Sequence, residues 1–234
     1  MKILGLQKLT LIDYLGKAAC TLFLFGCNFR CGFCHNPELV LDSNNLKEYS
    51  EEEVLDFLEK RKKYLDGVCI TGGEPLISLE KEFLKKIKDL GYEVKIDTNG
   101  SFPEKLQEFI ESGLVDFVAM DIKTSKENYS RVVGVDVNLD KIEKSIKIIS
   151  KLLDYEFRTT VVKRFHDVRE MKELIAGLSC WVGGKIKRFV LQGFKKEDKL
   201  IDESFKKEED VDEDYLLELK KVCAGCCEDV VIRV

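Results

Sequence analysis

The chain has 234 residues, 44% of them hydrophobic and 35% charged, with only 3 prolines; it is long enough for one sizeable core and fits an ordinary soluble globule. A formal net charge of -5 argues against a nucleic-acid partner, and lysine runs such as Lys85-Lys86 and Lys185 to Arg188 read as solvated sides of helices and strand ends. No segment reaches the roughly 20 apolar residues that cross a bilayer, and Asp13 interrupts the opening run before a signal core forms, so no membrane partner is expected and the chain reads as cytoplasmic.

Two short apolar runs, Ile3 to Leu11 and Ala18 to Phe25, open the chain. Helical and strand patterns then alternate: a helix over Ser50 to Lys62, a strand over Val68 to Thr71, a helix over Ser78 to Leu90, a strand over Tyr92 to Asp97, a helix over Pro103 to Ser112 and a strand over Val115 to Asp121. Beyond a polar connection, Lys123 to Asn138, come helix Leu139 to Leu153, strand Glu156 to Val162, helix Val168 to Leu178, strand Ile186 to Gln192, helix Glu208 to Val222 and strand Val230 to Val234. In the first helix of that half, Ile142, Ile146, Ile149 and Leu153 recur at three- and four-residue steps, which makes one apolar face. The alternation implies an α/β fold with parallel pairing and helices outside the sheet. One domain over residues 1–234 is expected, with a short cysteine-containing C-terminal segment, 208–234. The connections Phe33 to Tyr49 and Lys123 to Asn138 look too polar for core and suited to covering a site.

Four successive strand ends carry small, charged or thiol groups: Cys27, then Gly72-Gly73-Glu74-Pro75, then Asp97-Thr98-Asn99-Gly100, then Asp121-Ile122-Lys123. An α/β barrel or open sheet gathers its active site at such an end. Nine cysteines, an odd number placed unevenly, do not suggest a disulfide framework in such a chain. Cys27, Cys31 and Cys34 follow Cys-x3-Cys-x2-Cys spacing in a polar loop, so three thiolates can converge on one metal centre. Two readings stay open. Zinc would take the three thiolates plus His35, although His35 directly follows Cys34 and makes joint ligation awkward. A four-iron cluster would use three thiolates and leave one iron open to an exchangeable ligand.

The same spacing, with Phe33 just before the third thiol, resembles the signature of the radical S-adenosylmethionine (SAM) superfamily, and His35-Asn36-Pro37 resembles its glycyl-radical-enzyme activating branch. Gly5-Leu6-Gln7-Lys8, Ile12-Asp13-Tyr14 and Gly26-Cys27-Asn28 are similar to the anaerobic ribonucleoside-triphosphate reductase activating proteins. The resemblance covers most of Leu4 to Gln192. It implies a partial (β/α)6 TIM-like barrel, with a [4Fe-4S] cluster on Cys27, Cys31 and Cys34 and SAM on the open iron.

Gly72, Gly73, Glu74 and Pro75 would receive the SAM amino group, the glycines allowing backbone to approach an ammonium closely. Asp97 and Thr98 would help hold a monovalent cation beside the SAM carboxylate, with Asp121 completing the acidic set. Asp121 and Lys123, two apart on extended chain, would point to one side. Arg158 matches an arginine near SAM whose fork suits a carboxylate or ribose. Gln192 stands where the pyruvate formate-lyase type carries a histidine near the adenosyl group, and His166 is a weaker substitute.

The activity so implied is one-electron cleavage of SAM to methionine and a 5'-deoxyadenosyl radical, which takes hydrogen from a glycine of a partner glycyl radical enzyme, here anaerobic ribonucleotide reductase. A low-potential donor such as flavodoxin or ferredoxin would supply the electron. Rival readings are radical chemistry on a peptide or small heterocycle, and a zinc-stabilised protein-binding module. Outside the matched part, Cys223, Cys226 and Cys227 form a second thiol group that suits either a metal or the core, whereas Cys20 and Cys69 lie in apolar strands and read as core.

Overall fold

The computed structural model describes Met1 to Val234 except Asn45, so the connection 33–49 includes one residue outside the described set. The strands are β1 (Ile3–Thr10), β2 (Ala19–Leu24), β3 (Gly67–Gly72), β4 (Glu93–Thr98), β5 (Phe117–Asp121), β6 (Tyr155–Val161), β7 (Ile186–Gly193) and β8 (Cys227–Arg233). The helices are α1 (Pro37–Val40), α2 (Glu51–Arg61), α3 (Lys81–Asp89), α4 (Pro103–Glu111), α5 (Tyr129–Val133), α6 (Leu139–Ile149), α7 (Val168–Val182) and α8 (Glu213–Cys223). Single 3-10 turns occupy Pro75–Ile77 and Glu203–Lys207. Among the described residues, no helix is long and apolar enough to cross a membrane.

The chain forms two compact units. The first comprises Met1–Asn28, Asn36–Thr98 and Glu104–Val118; the second comprises Phe29–His35, Asn99–Pro103 and Ala119–Val234. In the first, β1 pairs antiparallel with β2, and β2, β3 and β4 then pair in parallel. β2 and β3 are buried along nearly their whole length, as parallel strands covered on both faces must be. α2 begins at a reciprocal capping box, in which Ser50 Oγ accepts from the Glu53 N–H at 3.1 Å and the Glu53 carboxylate accepts from the Ser50 N–H at 2.9 Å. Its Val54 and Leu58 are buried. On α3, Phe83, Leu84 and Ile87 are buried, and lysines occupy the exposed turns between them.

In the second unit β6, β7 and β8 pair in parallel. α6 buries Ile142, Ile146 and Ile149 completely, each contributing about 1.5–3 kcal/mol relative to exposure. The periodicity overran its end: α6 stops at Ile149 because the chain must reverse before β6, and Leu153 is 93% exposed. α7 runs on to Val182 and buries Trp181, with the Lys126 ammonium 4.3 Å from the indole ring. α8 starts later than its pattern, at Glu213, because the Asp212 side chain accepts from the Tyr215 N–H at 2.8 Å and caps it.

Both connections expected to be polar covers are partly core, which corrects that expectation. Leu39 and Val40 are buried on α1. In the later connection Thr124, Ser125, Tyr129, Val132 and Val133 are buried. Its polar groups are satisfied from α7, where the Glu170 carboxylate accepts from Thr124 Oγ1, from the Ser125 N–H at 2.9 Å and from Asn128 Nδ2 at 2.7 Å. Buried polar side chains persist when paired in this way. Counting polar residues therefore underestimated how deeply the segment is enclosed.

Candidate functional site

In the first unit lie Cys27, the Gly72–Pro75 turn, Asp97 and Thr98. β2 ends at Leu24 and the chain reaches Cys27 through Gly26, whose carbonyl accepts from the Glu74 N–H at 2.7 Å. The Gly73 N–H donates to the Leu24 carbonyl at 3.0 Å. Gly72 has φ of 125°, and a Cβ there would stand 2.3 Å from the Leu24 oxygen. A Cβ on Gly73 would stand 2.1 Å from the Gly26 oxygen and 3.1 Å from Cys27 Cβ. The two glycines let the turn lie directly against the backbone that carries the first thiol.

Glu74 is fully buried, and its Oε1 accepts from the Leu76 N–H at 3.1 Å and from Thr98 Oγ1 at 2.9 Å. Its carboxylate fixes the turn and ties it to the end of β4. Gly73→Ala drives a methyl carbon into the Gly26 backbone, so the turn must shift. Displacing a positioning element by about 1 Å costs on the order of 100-fold in rate. If the turn receives SAM, as the resemblance implies, that loss is expected in SAM cleavage, with far-ultraviolet circular dichroism retained.

In the second unit lie Cys31 and Cys34, Asp121, Lys123, Arg158 and Gln192. Cys31 is buried and Cys34 half-buried, with the Cys34 N–H donating to the Cys31 carbonyl at 3.1 Å. The loop is held on two sides. From α5, the Val133 carbonyl accepts from the Arg30 N–H at 2.8 Å, and Tyr129 meets Phe29 edge-on at 6.4 Å. From the C-terminal stretch, the Asp202 N–H donates to the Gly32 carbonyl at 3.0 Å, and Phe205 packs on Phe33 with ring centres 6.0 Å apart. His35 does not turn back on the thiols: its Nε2 is 2.9 Å from the Lys195 carbonyl and its ring lies 5.4 Å from Phe194.

Asp121 lies at the end of β5 and joins two cations, as the extended spacing suggested. Lys123 Nζ donates to its Oδ2 at 2.9 Å and Arg158 Nε to its Oδ1 at 3.0 Å. Burial pushes the Asp121 carboxyl up, but Lys123 and Arg158 outweigh it and hold the group well below the ordinary carboxylate range. Burial likewise opposes the Lys123 ammonium, and Asp121 together with Cys31 outweighs it and holds the lysine above its usual value.

Arg158 is turned to Asp121 rather than to solvent, with Glu156 beside it on the same side of β6. Glu156, two residues earlier and 2% exposed, lies 3.9 Å from its Nη1 and accepts a paired contact from Arg233 at 3.1 and 2.9 Å. Glu156 and Lys95 are the residues the sequence reading passed over. Their signal was a charge alternating with apolar residues two positions before a singled-out one. Gln192 is exposed at the end of β7. His166 is fully buried, accepting at Nδ1 from the Val162 N–H at 3.0 Å and approaching the Lys123 carbonyl with Nε2 at 2.8 Å. Burial lowers its pKa, so it is a neutral brace for the Lys123 backbone.

Among the described residues, no three His, Cys, Asp or Glu side chains converge as a metal-holding group. The chemistry of the donor set still suits an iron–sulfur cluster: three soft thiols at the loop spacing, Gly73 lying against Cys27, and a lysine beside Cys31. The terminal thiols look different. Cys223 and Cys227 are buried, and burial pushes both up to about 12. That burial favours the neutral thiol. Changing Cys223, Cys226 and Cys227 together to alanine is expected to leave iron content unchanged within error, measured on protein reconstituted without oxygen.

Residues 21–176 match the family model described as "Radical SAM superfamily". The chain is similar to the "Putative glycyl-radical enzyme activating enzyme MJ1227" of Methanocaldococcus jannaschii, 32% identical over 240 residues that cover 98% of this chain and 94% of that protein. It is also similar to the pyruvate formate-lyase-activating enzyme of Clostridium pasteurianum, 32% identical over 140 residues, a match spanning 57% of each protein. Among solved structures, TYW1 with a lysine-pyruvate adduct superposes with a TM-score of 0.63 at 16% identity, covering 88% of this chain and 73% of that one. That likeness shows the fold, the partial (β/α) barrel that the family resemblance implied. The family match contains Cys27, Cys31 and Cys34 as well as the turn that lies against the first of them, and the relative with the widest overlap above runs along almost the whole chain. The chain therefore belongs to the radical SAM superfamily.

Proposed function

We propose that the chain is an activating enzyme that installs a glycyl radical on a partner protein, and that the partner is an anaerobic ribonucleoside-triphosphate reductase. One observation carries the reading: the Gly72–Pro75 turn is stitched to Gly26 and abuts Cys27, as is needed if the turn is to receive SAM beside a thiol that ligates the cluster. The relative that matches 98% of the chain, named for activating glycyl-radical enzymes, supports the branch. His35, engaged by the Lys195 carbonyl, favours iron with an open position over a zinc site closed by histidine.

In this reading Cys27, Cys31 and Cys34 hold a [4Fe-4S] cluster. When bound, cluster and SAM supply one-electron cleavage to methionine and a 5'-deoxyadenosyl radical. The chain's own residues bind and orient. Backbone of Gly72 and Gly73 approaches the SAM ammonium, with Glu74 keeping the turn in register through Leu76 and Thr98. Arg158 and Lys123, fixed by Asp121, present cationic donors to the carboxylate or ribose. Gln192 serves the adenosyl side through its amide. A low-potential donor such as flavodoxin or ferredoxin delivers the electron.

The test is anaerobic incubation with reductant, SAM and the candidate reductase, read by electron paramagnetic resonance. A doublet from a glycine-centred radical on the reductase is expected. Methionine and 5'-deoxyadenosine formed with no such doublet, alongside a modified peptide or heterocycle, would contradict this choice of partner.

A further inference from the structure

Lys95 stands in the middle of β4, flanked by Val94 and Ile96, and its side chain is 2% exposed. Burying an ammonium costs several kcal/mol unless it is paired, and a leucine would fill the space without that cost. Its partner is Asp97, two residues on and therefore on the same side of the strand. Lys95 Nζ is ion-paired with Asp97 Oδ1, and the Asp97 side chain is itself only 13% exposed.

A third group joins them from the neighbouring strand. Cys69 stands in register with Lys95; its Sγ is 3.7 Å from the ammonium and 3.8 Å from the same Asp97 oxygen. The Phe117 ring closes another side, 6.0 Å from Nζ. The ammonium is thus enclosed by a carboxylate, a sulfur and an aromatic ring, and its charge is spent on Asp97.

Asp97 and Thr98 are the pair for which a monovalent cation was expected. Neither stands uncommitted: Asp97 is balanced by Lys95, and Thr98 Oγ1 donates to buried Glu74 at 2.9 Å. We propose that the Lys95 ammonium is the permanent counter-cation of Asp97, taking the part of an alkali metal ion, so that this chain needs none. The cost of burying the lysine is then explained as the cost of a built-in charge that cannot dissociate.

The test has two arms, of which only the second rests on the proposed SAM chemistry. First, melting temperatures of the chain without cofactor are compared in choline, sodium and potassium chloride at equal ionic strength, and thallium binding is followed by thallium NMR. The wild-type chain is expected to melt within about 1 °C in all three salts and to bind no thallium. Lys95→Met, which keeps the stem and removes the charge, is expected to gain stability from potassium over choline and to bind thallium. Should that variant fail to fold, the paired variant Lys95→Met/Asp97→Asn removes both charges and is expected to fold without binding thallium. Saturable thallium binding by the wild-type chain, lost in Asp97→Asn, would overturn the proposal.

Second, SAM cleavage by the reconstituted wild-type enzyme is expected to agree within about twofold between choline and potassium buffers. A drop of about tenfold in choline, restored by potassium, would overturn the proposal. Absence of cleavage in every buffer would instead contradict the proposed function, while the first arm would still decide the role of Lys95.

Discussion

Changing any one of Cys27, Cys31 or Cys34 to serine is expected to abolish the function while sparing the fold. Each variant should be reconstituted with far less iron than the wild type and lose more than about 100-fold of SAM cleavage, since removing even a residue that supports a metal ligand costs about 10–100-fold. The expectation of retained folding rests on how the loop is held. Arg30 and Gly32 are fixed through their backbones by Val133 and Asp202, and Phe29 and Phe33 through their rings by Tyr129 and Phe205, none of which involves a cysteine side chain. Iron content, cleavage rate and circular dichroism together distinguish a lost ligand from a lost fold. A serine variant at any of the three positions that keeps full iron and full cleavage would remove that residue from the cluster.

The second large effect is at Asp121. Asp121→Ala strips the shared anion from two cations, Lys123 and Arg158, whose side chains are each only 14% exposed. Removing one partner of a buried ion pair costs about 3–5 kcal/mol because the remaining charge is uncompensated. Glu156 remains 3.9 Å from Arg158 Nη1 and the Asp121 side chain is 30% exposed, so the lower end of that range is expected in urea denaturation. Asp121→Asn keeps acceptor oxygen and shape but not charge, and should lose less.

The pH dependence separates the electrostatic part from packing. The Asp121 carboxyl is held below its unfolded value, near 3.9. Its stabilisation is therefore complete above that unfolded value and disappears as pH falls through the lower folded one. The stability gap between wild type and Asp121→Asn should be flat from pH 6 to 9, a span in which an ordinary carboxyl near 3.9 does not titrate. It should narrow below about pH 4. A gap that widens on acidification would show that the charge is not what matters.

What could be read in advance was local. Alternation of strand and helix, the thiol spacing and the Asp121–Lys123 juxtaposition all follow from residues near one another in sequence, and each was legible. Glu74 as the residue that sets its turn was legible for the same reason, because a carboxylate two residues before Leu76 can reach that N–H. The grip on the cysteine loop was not. Asp202 and Phe205 lie some 170 residues from Gly32 and Phe33 in a stretch without periodicity, and only tertiary packing brings them there.

Buried charge was the other blind spot. Lys95, Glu156 and Glu170 look like surface residues in a composition, yet each is placed by partners on other elements or by its strand register: Asp97 and Cys69 for the first, Arg233 for the second, the Thr124–Asn128 stretch for the third. Leu153 fails in the opposite sense, continuing an apolar period past the point where the chain must turn.

The most direct measurement is electron paramagnetic resonance of the reduced, anaerobically reconstituted protein, with iron and sulfide assayed on the same sample, before and after adding SAM. The expected result is close to four irons per chain, as three thiolates and one open iron require, and a cluster signal that changes shape when SAM binds. Zinc in place of iron, or an iron signal that SAM leaves untouched, would contradict a centre with one coordination position open to that cofactor.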